Sequence, residues 1–202
     1  MAAILEHAAT EARADPKRAR ILEGAMKVFL AYGFSRTTMD DIARAAEVSR
    51  PALYLLFKNK TDIYRALASD FVDDALAQAR NALAHEGAFV QRLELALHCA
   101  MHRMREVEDS PHGAEILDMK NSLAGDIVAA GRAGMGRIIE EAIAAEAARV
   151  GQTLSEKPPS ARLLSDLLLD AIDGMKMRAP PREEQQTATL GYIALIGRLL
   201  AN

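Results

Sequence analysis

The stretch Arg36–Lys60, RTTMDDIARAAEVSRPALYLLFKNK, restricts the fold more than any other part of the chain. It carries two helix-start signals with a turn between them. Thr38 can accept an orphan amide of a first helical turn, and Asp41 three residues on completes a capping-box pattern. Ser49 is placed to cap a second helix, with Pro51 in its first turn where a missing N–H costs nothing. Ile42 and Ala45 are expected to face inward from the first helix, and Leu53 and Phe57 fall on one face of the second at i, i+4 spacing. Two short helices joined by a three- or four-residue turn make a helix-turn-helix, whose second helix fits the major groove of B-DNA.

The residues before this pair predict a third helix to close its core. Residues 1 to 14 are expected to form a frayed arm. Asp15-Pro16 then combines a cap with a proline at the first helical position, and Leu22, Ala25, Met26 and Phe29 hold one apolar stripe as far as Gly33. Gly33 sits where a helix-terminating glycine takes the left-handed conformation. A helix over about 16 to 32 thus packs across the other two, with Ile21, Leu22, Met26, Phe29, Ile42, Val48, Leu53 and Phe57 as the expected core.

Beyond Phe57 the pattern is of longer helices. Asn59 can cap a helix running from Lys60 to about Leu83, along which Ile63, Leu67, Phe71, Ala75, Ala79 and Leu83 recur at helical spacing. A helix over about 88 to 107 is expected to carry His98, Met101, His102 and Met104 on its inward face beside Cys99. Ser110-Pro111 restarts the chain into a short helix through Ile116 and Met119. An Ala-rich helix follows from Leu123 to about Val150, where Gly131, Gly134 and Gly136 predict a kink or a close helix crossing. After a loop over 152 to 160 come helices over 161 to 176 and 183 to 200, separated by Ala179-Pro180-Pro181. Both are too apolar for burial on one side. Pairing them with a second copy through Leu164, Leu168, Ile172, Leu190, Ile193 and Gly197 gives a four-helix interface and a two-fold homodimer.

Composition agrees with an all-α chain. Half of the 202 residues are hydrophobic, and no segment alternates apolar and polar with hairpin punctuation. Cys99 is the single cysteine, which excludes an internal disulfide framework and fits a reducing cytoplasm. The N-terminus does not read as a signal peptide, and no apolar run is long enough for a membrane span. The net charge of -3 divides unevenly: residues 1 to 60 hold ten Lys or Arg against seven Asp or Glu, net +3, leaving the remainder at -6. A basic module on an acidic remainder suits a protein that approaches phosphate with one end.

Thr37-Thr38, Asp41-Ile42-Ala43, Ala46, Val48-Ser49-Arg50-Pro51-Ala52-Leu53-Tyr54, Phe57 and Lys58-Asn59-Lys60, in this order and spacing, resemble the tetracycline-repressor (TetR) family of bacterial transcriptional regulators. The resemblance covers the first 64 residues. It implies a three-helix DNA-binding domain over 15–60 and a larger helical ligand-binding and dimerisation domain over 61–202. It also implies DNA contacts from Thr38, Ser49, Arg50, Pro51, Ala52, Tyr54 and Lys60. Thr38 would meet a phosphate, as would Lys60 with the first amides of its helix. Arg50 would take guanine O6 and N7 together, and Ala52 would touch a thymine methyl. Tyr54 would bond a phosphate or simply pack. The chain departs from the family pattern at Glu47, a turn position where the family often has glycine. It departs again at Leu56, where a polar or aromatic residue is common.

For the second domain the resemblance implies a small-molecule site that changes the spacing of two DNA-reading heads. His98, Met101, His102, Met104, Met119 and Met175 are the candidates, methionine being soft and adaptable; the alternative is that they are ordinary core. His98 and His102 lie at i, i+4 but lack further ligands, so no metal is expected and no cofactor either. There is no nucleophile elbow, phosphate loop or HExxH pattern to suggest an enzyme. The expected function is a ligand-responsive dimeric repressor that binds a palindromic operator and is released by a small, largely apolar effector, with double-stranded DNA as partner and no membrane. The alternatives are a helical-bundle carrier or enzyme, and a ligand-independent DNA-binding protein.

Overall fold

The computed structural model describes residues 15–118, 120–152, 154, 159–178 and 180–201, without the side chains of 101–103, 120 and 121. The expected N-terminal arm lies outside the described residues. Among those described, all regular structure is helical: α1 Pro16–Tyr32, α2 Met39–Ala45, α3 Arg50–Leu56, α4 Lys60–Ala84, α5 Phe89–Glu108, α6 Gly113–Asp118, α7 Lys120–Arg149, α8 Ala161–Arg178 and α9 Arg182–Ala201. No helix among them is long and apolar enough to cross a membrane. The chain divides into two compact units, the first reaching to Val72 and taking in Arg103–Val128, the second formed by Asp73–His102 and Ala129–Asn202. The first therefore holds more chain than residues 15–60.

In the first unit, Ile21, Ile42, Leu53 and Ile63 are fully buried, and Leu22, Phe29, Phe34 and Phe57 nearly so. Met26 and Val48 are half-buried at the edge of this core. Ala45 is exposed, contrary to the inward placement expected of it; Ala43 and Ala46 are the buried alanines. The helix is only seven residues long, so a face shift of one position decides which alanine meets α1. Phe34 packs against Phe29 at 5.2 Å and edge-on to Tyr64 at 5.6 Å between ring centroids. Segment 103–128 is tied to this core by directed bonds. The Tyr64 hydroxyl donates to the Ile116 carbonyl at 2.7 Å. Arg65 donates to the Leu123 carbonyl at 2.7 Å and grips both oxygens of Asp126, holding that carboxyl down to about 2.

The second unit has its own core, in which Leu93, Ile139, Ile143 and Ile193 are fully buried and Leu168, Ile172 and Met175 nearly so. Gly134 and Gly136 of α7 lie at helix crossings rather than at a kink. A Cβ at Gly134 would stand 2.9 Å from Leu76 Cδ1, and the Gly136 carbonyl accepts from the Ser165 hydroxyl at 2.8 Å. The helical dihedrals of α7 break instead at Ala124, with φ -141° and ψ 25°.

This packing places the expected dimer residues differently. Leu168, Ile172 and Ile193 are buried by their own chain, and Gly197 lies against Val90. Leu164 and Leu190 are half-buried. The apolar surface that α8 and α9 leave open comes from Leu167, Leu195, Leu199 and Tyr192. Helices apolar on all sides hide which side the neighbours within the chain take.

Candidate nucleic-acid interface

The two short helices are fixed by the bonds their sequence predicts. Thr38 Oγ1 accepts from the Asp41 amide at 3.2 Å, and the Asp41 carboxylate accepts from the Thr38 amide at 3.0 Å, closing the capping box. The Thr38 hydroxyl also donates to Asp41 at 2.6 Å, and these bonds hold that carboxyl below its usual range. Ser49 Oγ accepts from the Ala52 amide at 3.3 Å. Gly33 closes α1 at φ 82°, its N–H donating to Phe29.

The turn between α2 and α3 stands on Glu47, whose φ of 53° is left-handed. A side chain there costs about 1 kcal/mol against glycine. The conformation is held from outside: Arg20 donates to the carbonyls of Ala46 and Glu47 at 3.0 and 2.8 Å. α1 also comes close enough that a Cβ at Gly24 would stand 2.7 Å from the Ala46 nitrogen.

With Leu53 and Phe57 turned into the core, α3 shows its other face to solvent. Ser49, Arg50 and Pro51 are exposed, Ala52 is half-buried, and Tyr54 and Leu56 are moderately exposed. Leu55 is 85% exposed. The Arg50 guanidinium lies 5.7 Å from the Tyr54 ring centroid and donates to Asp40 Oδ2 at 3.1 Å. An acidic residue of α2 thus orients the Arg50 guanidinium of α3. Asp40 and Leu55 were missed from the sequence. Their register was available, since both lie off the buried faces.

Lys60 is tied to the loop before α2. Its ammonium donates to the carbonyls of Phe34, Ser35 and Thr37 at 2.8, 3.1 and 3.1 Å and sits 4.6 Å from the Phe34 ring centroid. An ammonium has three donors, and here all three fasten the α1–α2 loop. The first turn of α4 is likewise occupied: Asn59 Oδ1 accepts from the Asp62 amide at 2.9 Å, and Asp62 accepts from the Lys58 amide at 3.2 Å. Glu115 of α6 secures the same loop, accepting from the Ser35 amide and hydroxyl at 3.0 and 2.8 Å. Those bonds, the amide's first, keep its carboxyl below the ordinary glutamate value.

Of the expected ligand residues, the side chains of His98, Met104 and Met175 are described. His98 is exposed, not inward, because Leu93, Ala96 and Leu97 take the buried face of α5. Met104 is half-buried, and Met175 is core. The side chains of Met101 and His102, and all of Met119, lie outside the described residues. A cleft of about 340 Å³ in the second unit is lined by other residues, among them Arg80, Leu83, Arg92, Ile138 and Glu141. At its wall, buried Glu146 accepts from Arg92 at 3.1 Å and from Arg149 at 2.6 and 3.0 Å. Among the described residues no group of three His, Cys, Asp or Glu is placed to hold a metal ion.

Comparison with known proteins agrees with this geometry. The family model for bacterial regulatory proteins of the tetR family matches residues 21–67. The transcriptional activator FasR of Mycolicibacterium smegmatis is 36% identical over 83 residues, 41% of this chain and 38% of that protein. The regulator TtgR of Pseudomonas putida is 40% identical over 72 residues, 35% and 34% of the two chains. The probable acrEF/envCD operon repressor of Escherichia coli is 41% identical over 58 residues, 29% and 26%. The matched stretch is thus well under half the length of each relative. Likeness of fold runs further: SmeT, repressor of the Stenotrophomonas maltophilia multidrug efflux pump SmeDEF, superposes with a TM-score of 0.60 at 19% identity, over 91% of this chain and 87% of that one. A SmeT–triclosan complex gives 0.62 at 18%, over 89% of each chain. Residues 21–67 thus carry the N-terminal domain of bacterial regulatory proteins of the tetR family.

Proposed function

We propose that the protein is a ligand-responsive dimeric transcriptional repressor, reading a palindromic operator with α3 of each protomer and released by a small, largely apolar effector. The observation that carries this reading is the outward face of α3, where Arg50, Pro51, Tyr54 and Leu55 are exposed on a helix pinned by a capped turn. Residues 15–60 act as the DNA-binding domain and 61–202 as the ligand-binding and dimerisation domain. Arg50 takes guanine in the major groove, Tyr54 and Thr38 meet phosphates, and Ser49, Pro51 and Ala52 form the surface between them. Function in the cytoplasm follows from that partner.

Leu167 on α8, with Tyr192, Leu195 and Leu199 at i, i+3, i+7 on α9, supports a two-fold interface. Segment 103–128 is the route by which an effector reaches the reading head, being bonded to Ser35, Tyr64 and Arg65. The effector need only prefer one head spacing while DNA prefers the other. The triclosan complex of SmeT supports an apolar ligand by analogy of fold.

Gel-shift titration on DNA flanking the protein's own coding region tests the reading. Sequence-specific shifts that disappear in Arg50→Ala are expected. Absence of any specific shift at moderate salt, there and in a random-sequence library, would overturn it.

A further inference from the structure

We propose that Leu55 reads thymine in the operator by packing its side chain on the C5-methyl group. The inference rests on the reading of α3 as a DNA-recognition helix. Leu55 is 85% exposed, whereas Leu53 on the opposite side of the same helix is fully buried and Phe57, just past the helix end, nearly so. It lies four residues after Pro51, on the stripe beside the one formed by Arg50 and Tyr54. The reading face therefore has a hydrogen-bonding edge, led by the guanidinium, and an apolar edge ending in Leu55.

Base edges in the major groove present one apolar substituent, the thymine methyl, and an aliphatic side chain has no other chemistry to offer a base. Charge favours DNA over a protein partner at this face. The first 60 residues carry net +3, and Arg50 stands about one and a half helical turns away. Leu55 supplies no hydrogen bond and no charge, so its contribution is discrimination by shape and burial. It should weaken selectively when the methyl is removed and be insensitive to salt.

The test uses the full-length chain and a DNA duplex selected by it from a random-sequence library. Each thymine of the half-sites is replaced in turn by deoxyuridine, which deletes only the methyl group. Wild type is expected to lose about fourfold in affinity at one thymine per half-site, the worth of one buried methyl. Leu55→Ala should lose a similar factor on the thymine duplex and show no further loss with deoxyuridine there. Leu55→Met should keep the discrimination. The salt dependence of log Kd should be the same for all three, because no phosphate contact is altered.

If wild type and Leu55→Ala respond alike to deoxyuridine at every position, the thymine contact is wrong while the DNA-binding reading stands. If Leu55→Ala instead changes the oligomeric mass without DNA, the side chain belongs to a contact between copies and the inference fails. If the library yields no preferred sequence, the inference falls together with the reading beneath it.

Discussion

The α2–α3 pair and the α8–α9 pair are both two successive helices with a short connection, yet they are specified in opposite ways. In α2–α3, the caps and the turn are set by neighbours three or four residues off: Thr38 with Asp41, Ser49 with Ala52, Glu47 with Arg44. In α8–α9 the partners are remote: Ser165 bonds Gly136, Arg132 grips Asp170 and Asp173, and Gly197 meets Val90. Local chemistry fixes where a helix starts and stops. Only distant packing fixes which face it buries.

Substitutions can break this comparison, and the largest effects belong to the two cores. Leu53→Ala and Ile193→Ala should each cost about 2–5 kcal/mol, since both side chains are fully buried. Hydrogen exchange should place the two losses in different units, with specific DNA binding lost more readily in Leu53→Ala. If both variants loosen the same amides, the separation of the units is wrong. Gly24→Ala is next, at about 1–3 kcal/mol by chemical denaturation, because the new methyl meets the Ala46 backbone.

Tyr64→Phe probes the tie between α4 and α6. Removing the hydroxyl leaves the Ile116 carbonyl without its donor, at about 1–2 kcal/mol. Burial pushes the phenol up to about 12 from an ordinary 10.0. A raised folded value means its contribution is complete below about pH 10 and is lost as pH rises from there through 12. Melting temperature in wild type should fall across that window, and the fall should be shallower in Tyr64→Phe. Glu47→Gly should stabilise the protein by about 1 kcal/mol, since glycine accepts the left-handed turn without strain. Leu195→Ser should leave the folded chain within about 0.5 kcal/mol. Light scattering should nevertheless show its mass falling toward the single-chain 21.9 kDa. An unchanged dimer would remove α9's outer face from the interface.

Much of the first unit was legible in the sequence for the same physical reason. The Asp15, Thr38, Ser49 and Asn59 caps, the Gly33 terminator and the strained Glu47 turn each depend on a few consecutive residues. Lys60 was legible as a motif residue but not in its bonds, because the three carbonyls it fastens lie 23 to 26 positions earlier. In the second unit the break before α9 was readable from Pro180-Pro181. The inward face of α5 and the core positions of Leu168, Ile172 and Ile193 were not. A helix with apolar residues on every side gives no periodicity from which to choose a face.

The specificity ratio of the reading head, selected duplex against scrambled duplex at fixed physiological salt, decides whether α3 reads sequence. Fluorescence anisotropy on the full-length chain should give wild type a preference of about 10³ or more for the selected duplex. Arg50→Ala should lower that preference by at least about tenfold while leaving the melting temperature unchanged. Equal affinity of wild type for both duplexes, or a preference untouched by Arg50→Ala, would contradict the assignment of α3 and Arg50 as the reader.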